Sequence, residues 1–417
     1  MDKFVIRGGA PLSGRLKVNG SKNSALPILI ATLLTDEACV IDNVPLLRDI
    51  RTTFRLLETL GKKVTVEDHT VRVEAHRPLK TRAPYDLVKQ MRASILVAGP
   101  LLARFGEVRV PLPGGCAIGM RPIDIHLKAF VDLGASCRTD KGDVVLTAKT
   151  LRPGKVRFKF PSVGATENLM IAAAALSGRT VIENAAREPE IEDLANFLTA
   201  MGARVRGAGT ARVEVLGRPG LRGVRHRVIP DRIETGTYLL ACAAAGGKIF
   251  LEDAVPHDLE ALLRGLERAG AKVRREAGGI GLAAPKRLKP VSIVTAPHPG
   301  FPTDLQAPWM ACMTLASGNT HVREEVFERR FLHAAELARL GALISVDGDA
   351  ATVSGVSELQ GASIMASDIR AGAALVVAGL AAKGTTEIQR VYHIDRGYER
   401  IEERLKKLGA RIRRVAA

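Results

Sequence analysis

A chain of 417 residues with 46% hydrophobic and 25% charged side chains has the composition of a folded globular protein long enough for two or three domains, which excludes a chain dominated by disorder. Its 61 Lys and Arg against 44 Asp and Glu leave a formal charge of +17, which favours an anionic partner. The excess is spread along the whole sequence and aromatics make up only 4%, so small anionic metabolites are favoured over a base-stacking nucleic-acid surface.

The opening MDKFVIRGG lacks an apolar run of signal-peptide length, and the longest apolar stretches, such as AGAALVVAGLAA at 371–382, fall short of a bilayer span. The sequence therefore predicts a cytoplasmic protein with no membrane partner. Cys39, Cys116, Cys137, Cys242 and Cys312 are odd in number and scattered, with no C-x-x-C pair, and are expected to be reduced thiols.

Along the chain, a short motif of apolar residue, Gly and small or basic residue recurs at LGKKV, LGASC, MGARV, AGAKV, LGALI and LGARI. Its glycines, Gly61, Gly134, Gly202, Gly270, Gly341 and Gly409, are spaced by 73, 68, 68, 71 and 68 residues, which predicts six copies of one unit. Amphipathic runs such as IRTTFRLLETL, IEDLANFLTAM, LEALLRGLERA and YERIEERLKKL precede the glycine and predict helices that it caps in the left-handed conformation. The β-branched stretch that follows, as in KVTVED, predicts a strand pair. Upstream lies an Ala-rich helix (ALPILIATLL, ENLMIAAAALSG, TGTYLLACAAAGG, AGAALVVAGLAAKG) without a polar face, hence buried. The unit reads β-α-β-α-β-β. Six of them divide naturally into two similar three-unit α/β domains, 22–229 and 1–21 with 230–417, with the active site expected in the cleft between them.

Six polar stretches open the buried helices: NGSKNSALP, KQMRASI, PSVGATEN, PDRIETGT, FPTDLQAP and ASDIRAGA. Helix N-terminal amides attract anions, and Lys22, Arg92 and Arg370 stand beside them, with Arg121 and Arg396 as further candidate cations. Asp304 in FPTDLQAP is either an N-cap or a general base or orienting carboxylate. Cys116, in GGCAIGMRP, lies on a glycine loop near Arg121, where a thiol should ionise readily and act as nucleophile or proton donor. No G-x-S-x-G elbow, P-loop or H-E-x-x-H is present, and His126, His257, His298, His321 and His393 lack metal-ligand spacing. They default to surface or supporting roles, and no metal or cofactor is implied.

The ordered motifs GSKNSALP, QMRASI, GGCAIGMRPIDIH, FPSVGATEN, AAREPEI, PDRIETGTY, HPGFPTDLQ, FERRFLH, SDIRAGAAL and DRGYERIEERL, running nearly end to end, resemble the UDP-N-acetylglucosamine 1-carboxyvinyltransferase family of enolpyruvyl transferases. The resemblance implies a pair of similar domains of three β-α-β-α-β-β units each, an inside-out α/β barrel. It also implies transfer of the enolpyruvyl group of phosphoenolpyruvate to the sugar 3-hydroxyl with release of phosphate, the committed step of peptidoglycan synthesis. Lys22, Arg121 and Arg396 would hold phosphoenolpyruvate. Cys116 would protonate the methylene carbon, would also form a covalent phosphoenolpyruvate adduct, and would be the target of the epoxide fosfomycin. Asp304 would take up the hydroxyl proton or orient the hydroxyl. Asn23, Arg92, Arg121, Pro122, Ile123, Asp124, Ile125, Ser162, Val163, Gly164 and Val326 would contact the sugar nucleotide, with Arg330 and Arg370 as the remaining cleft arginines. Some relatives carry a Lys two residues before the serine of SVGAT; Phe160 stands there in this chain and Lys159 one place earlier. The alternatives are the sister family acting on shikimate 3-phosphate, whose Gly-Asn-Ala-Gly-Thr stretch is replaced here by YDLVKQMRAS, and a basic nucleic-acid-binding protein.

Overall fold

The computed structural model describes residues 2–112, 123–328 and 330–416; Cys116, Arg121 and Pro122 lie outside the described residues. The chain forms two compact units, one within residues 20–229 and the other from residues 2–19 with 230–416. Each has its own hydrophobic core.

The described residues form six sheets, three per unit, and five of them share one strand order. In one, Lys155–Arg157 runs parallel to Gly178–Glu183, which pairs antiparallel with Arg212–Gly217, itself antiparallel to Arg204–Arg206. Helix Val163–Ala174 makes the parallel crossover, which needs a covering helix, and helix Pro189–Met201 leads back to the hairpin. The sixth sheet has three strands, Glu107–Pro111, Asp143–Thr147 and Ser136–Asp140. Gly61, Gly134, Gly202, Gly270, Gly341 and Gly409 all have φ between 90° and 119°. There the chain leaves a helix through the left-handed region, which costs a residue without Cβ nothing.

Two strands are exchanged. Leu12–Lys17 precedes helix Lys22–Ala31 in sequence, yet it pairs parallel with Gly247–Glu252. Arg225–Arg227 precedes helix Arg232–Ala245, yet it pairs parallel with Cys39–Asp42. The chain consequently passes from one unit to the other at 19–20 and 229–230. The N-terminal strand Asp2–Arg7 lies between Thr385–Gln389 and Arg411–Ala416 and completes the last sheet.

The Ala-rich helices are buried on all faces: every residue from Ala165 to Ala174 and from Arg370 to Leu380 is enclosed. Small side chains let neighbouring helices approach closely, and at Gly265 an added Cβ would lie 2.9 Å from the Trp309 ring.

Two predicted helices differ in extent. KQMRASI opens a 3-10 run, Arg92–Val97, and the α-helix begins only at Ala98; Pro100 has no N–H to bond back to the Leu96 carbonyl, so the preceding turn tightens. The run YERIEERLKKL is helical only over Ile401–Lys407, because Arg400 is left-handed, with φ 46°. No helix among the described residues is long and apolar enough to cross a membrane.

Candidate active site

In the 20–229 unit, Ser21 caps helix Lys22–Ala31 and its hydroxyl accepts a hydrogen bond from the Ser24 amide. Lys22, the first helical residue, extends to Asp49, Nζ to Oδ2 3.0 Å, with side chains 9% and 6% exposed. Asp49 stands in the first turn of helix Arg48–Leu60, so one helix N-terminus supplies the cation and the next its counter-charge. Neither burial nor a motif marks Asp49 in the sequence. A second buried carboxylate, Asp193, accepts from the Ser24 hydroxyl and from the Ile229 amide, 3.2 Å, and contacts His226 Nε2 at 2.8 Å. It pins the start of the Lys22 helix to the strand that leads out of the unit. Asn23 follows Lys22, and Pro27 four residues on lacks the N–H that would have bonded the Asn23 carbonyl within the helix.

Arg92, Asp124, Ile125, Ser162, Val163 and Gly164 come from three segments locked by one amide. Asn168 Oδ1 accepts from Gly99 N at 2.8 Å, while Nδ2 donates to Ile95 O at 3.1 Å and lies 3.1 Å from His126 Nδ1. Since Gly99 is a donor and Ile95 an acceptor, the amide orientation is forced, and its second proton goes to Nδ1. His126 is therefore neutral, with its proton on Nε2. Burial, with Arg92 nearby, pushes its pKa down to about 3. The expectation of a surface or supporting His126 resolves to a buried supporting residue. Its ring packs on the helix start at Gly164, where an added Cβ would sit 3.3 Å from Cε1. Ser162 caps that helix through Ala165 N, Ile123 is buried, and Lys159 is exposed.

In the other unit, Asp304 lies within the 3-10 turn Thr303–Leu305, and Pro302 occupies the capping position. Its side chain is instead bound by two arginines: Oδ1 accepts from Arg330 Nη2 at 2.6 Å and Oδ2 from Arg370 Nη2 at 3.3 Å. The capping alternative for Asp304 is therefore excluded in favour of a held carboxylate. Arg330 and Arg370 are each 7% exposed. Arg370 also donates to Tyr398 OH, 3.2 Å, which contacts Thr237 Oγ1 at 2.8 Å. Asp368 caps the Arg370 helix through Arg370 N and Ala371 N. Val326 lies on the turn before Arg330, and Pro308 again removes the N–H that would bond the Asp304 carbonyl. Arg396 ends the 3-10 segment Val391–Arg396, whose Asp395 is gripped by Arg414 at 3.0 and 2.5 Å.

The predicted residues divide between the units, Lys22, Asn23, Arg92, Ile123 to Ile125 and Ser162 to Gly164 in one, and Asp304, Val326, Arg330, Arg370 and Arg396 in the other; hydrogen bonds bring Asp304, Arg330 and Arg370 together. Each unit places a buried cation in the first turn of a helix, Lys22 in one and Arg370 in the other, where backbone amides and positive charge both favour an oxyanion. Among the described residues no group of three or more His, Cys, Asp or Glu could hold a metal ion.

The fold is that of the enolpyruvyl transferases. The chain superposes on the enolpyruvyl transferase NikO from Streptomyces tendae with TM-score 0.90 and 27% identity, covering 100% of this chain and 99% of that one. It shares the fold of EPSP synthase from Acinetobacter baumannii at TM-score 0.76 and 17% identity over the full length of both. Residues 6–405 match the family model of EPSP synthase (3-phosphoshikimate 1-carboxyvinyltransferase). The UDP-N-acetylglucosamine 1-carboxyvinyltransferase of Elusimicrobium minutum is 53% identical over 99% of this chain and 98% of its own, and that of Sorangium cellulosum 52% over 100% and 99%. The chain belongs to the UDP-N-acetylglucosamine 1-carboxyvinyltransferase branch of the EPSP synthase family.

Proposed function

We propose that this protein transfers the enolpyruvyl group of phosphoenolpyruvate to the 3-hydroxyl of UDP-N-acetylglucosamine and releases phosphate, which commits the sugar nucleotide to peptidoglycan synthesis. The observation that carries the reading is 53% identity over 99% of the chain to a relative named for that reaction. The held Asp304 carboxylate supports it, since addition of an alcohol to an enol phosphate needs an acceptor for the hydroxyl proton.

Lys22, Arg121 and Arg396 bind the phosphate and carboxylate of phosphoenolpyruvate. Asn23, Arg92, Arg121, Pro122, Ile123, Asp124, Ile125, Ser162, Val163, Gly164 and Val326 bind the sugar nucleotide. The sugar 3-oxygen bonds to C2 of phosphoenolpyruvate while its proton passes to Asp304, or to water that Asp304 orients. The Cys116 thiol delivers a proton to C3, which becomes a methyl group. A C3 proton then returns to the Cys116 thiolate, and the double bond is restored as the C2–O bond breaks and phosphate leaves with its electron pair. Protonation of C3 builds positive charge at C2, and a site that excludes water strengthens each electrostatic contact there. A positioned acid and base each supply on the order of a hundredfold or more. The same Cys116 thiolate opens the fosfomycin epoxide and becomes alkylated.

The test is phosphate release from phosphoenolpyruvate with UDP-N-acetylglucosamine and shikimate 3-phosphate offered in parallel. Release with the sugar nucleotide alone is expected; release with shikimate 3-phosphate alone overturns the acceptor, and release with neither overturns the reaction.

A further inference from the structure

We propose that Glu324 is the positioning residue for the Asp304 half of the site: it sets Arg330, and through it Asp304, and it fixes the turn that carries Val326. The inference rests on the reading of Asp304 and Val326 given above.

Glu324 is buried, 4% exposed, and its two oxygens accept four hydrogen bonds. Oε1 accepts from Thr295 Oγ1 at 2.9 Å and from the Val326 and Phe327 amides, both at 3.0 Å. Oε2 accepts from Thr303 Oγ1 at 2.8 Å. Every partner here is a donor, and the proton directions follow. Thr303 has one hydroxyl proton; spending it on Glu324 leaves its oxygen to accept, which it does from Arg330 Nη1 at 2.7 Å. The other arm of that guanidinium, Nη2, holds Asp304. Thr295 repeats the pattern: its hydroxyl donates to Glu324 and accepts from Glu325 N at 3.0 Å.

A second route reaches the same arginine. The Phe327 amide is held by Glu324, and the Phe327 ring lies under the Arg330 guanidinium, 5.1 Å from centroid to Cζ, within cation–π range. One acceptor-only group thus joins three separate segments: the chain after strand Ile293–Val294, the turn Thr303–Leu305, and residues 324–327. A neutral amide of the same shape cannot replace it. Glutamine keeps Oε1 for three donors but turns an NH2 toward Thr303, whose hydroxyl proton then loses its acceptor beside Arg330.

The test measures steady-state kinetics and thermal midpoint for Glu324→Gln, Thr303→Val and Thr303→Ser in the full chain, with Asp304→Ala beside them. Glu324→Gln and Thr303→Val are expected to lower kcat/KM for UDP-N-acetylglucosamine by about tenfold or more, the scale of a lost charge-assisted hydrogen bond. KM for phosphoenolpyruvate should stay within about twofold, Thr303→Ser should recover most of the loss, and Glu324→Gln with Thr303→Val should together cost little more than the worse single change, because they act in series. Should Glu324→Gln not fold, Thr303→Val alone decides. Wild-type kinetics in Glu324→Gln or Thr303→Val, or equal losses for both substrates tracking a lowered midpoint, overturn the proposal. An inactive Asp304→Ala beside an unaffected Thr303→Val removes this inference only, whereas a fully active Asp304→Ala removes the reading of Asp304 beneath it.

Discussion

Replacing Asp304 by alanine separates chemistry from folding, because the same carboxylate both faces the proposed reaction and bridges two buried arginines. Its side chain is 27% exposed, those of Arg330 and Arg370 6% and 9%. Breaking a fully buried ion pair costs about 3–5 kcal/mol, but partial exposure screens this one. Arg330 keeps Thr303, at 2.7 Å, and Arg370 keeps Tyr398, at 3.2 Å. The expected loss of stability is therefore about 1–3 kcal/mol, a fall in midpoint of roughly 2–12 °C for units of this size. Activity should fall much further, by on the order of 10²–10⁴, the contribution of a positioned base. Phosphate release at saturating substrates, below the midpoint of the variant, measures it. Asp304→Asn keeps the shape and one acceptor but not the proton affinity: as low as alanine, it marks a base; well above alanine, an orienting group. Turnover of Asp304→Ala within a few-fold of wild type would refute both.

Asp49→Asn removes the counter-charge of Lys22 and should raise KM for phosphoenolpyruvate several-fold more than KM for the sugar nucleotide; equal changes would detach Asp49 from substrate binding. Intact-mass analysis after fosfomycin treatment should show one adduct on wild type and none on Cys116→Ala, and an adduct on both would remove Cys116 as the site. His333 is buried beside Met310, and burial, opposed by Asp368 and assisted by Arg330, pushes its pKa down to about 4. The folded protein keeps this ring neutral while the unfolded chain protonates it near 6.5, so its contribution is complete above pH 6.5 and shrinks as the pH falls toward 4. Between pH 7 and 5 that amounts to about 2 kcal/mol. Denaturant unfolding of wild type and His333→Gln at both pH values should show the wild type losing that much more than the variant, and parallel losses would contradict it.

Local chemistry written in consecutive residues was legible before any coordinates. The six glycines had to leave helices in the left-handed region, the Ala-rich helices had no face to turn to water, and Lys22, Arg92, Ser162 and Arg370 had to sit at helix starts because the stretches that begin there are polar. Lengths of elements were less legible: Pro100 and Arg400 shorten their helices by breaking the backbone pattern that side-chain periodicity alone suggests.

The sequence by itself determined the repeating unit, the kind of residue at each helix start and the family, since these depend on neighbours within a few positions or on ordered motifs. Only the tertiary structure decided which partner each site residue has. Asp49 reaches Lys22 across 27 positions, Asn168 reaches His126 across 42, Glu324 reaches Thr303 across 21, and Asp304 meets Arg330 and Arg370 across 26 and 66. A carboxylate written in sequence carries the same charge wherever it lies. Whether it caps a helix, pairs with a lysine or is held between two guanidiniums depends on which donors the packed cores bring within hydrogen-bond distance, and at that range periodicity carries no information.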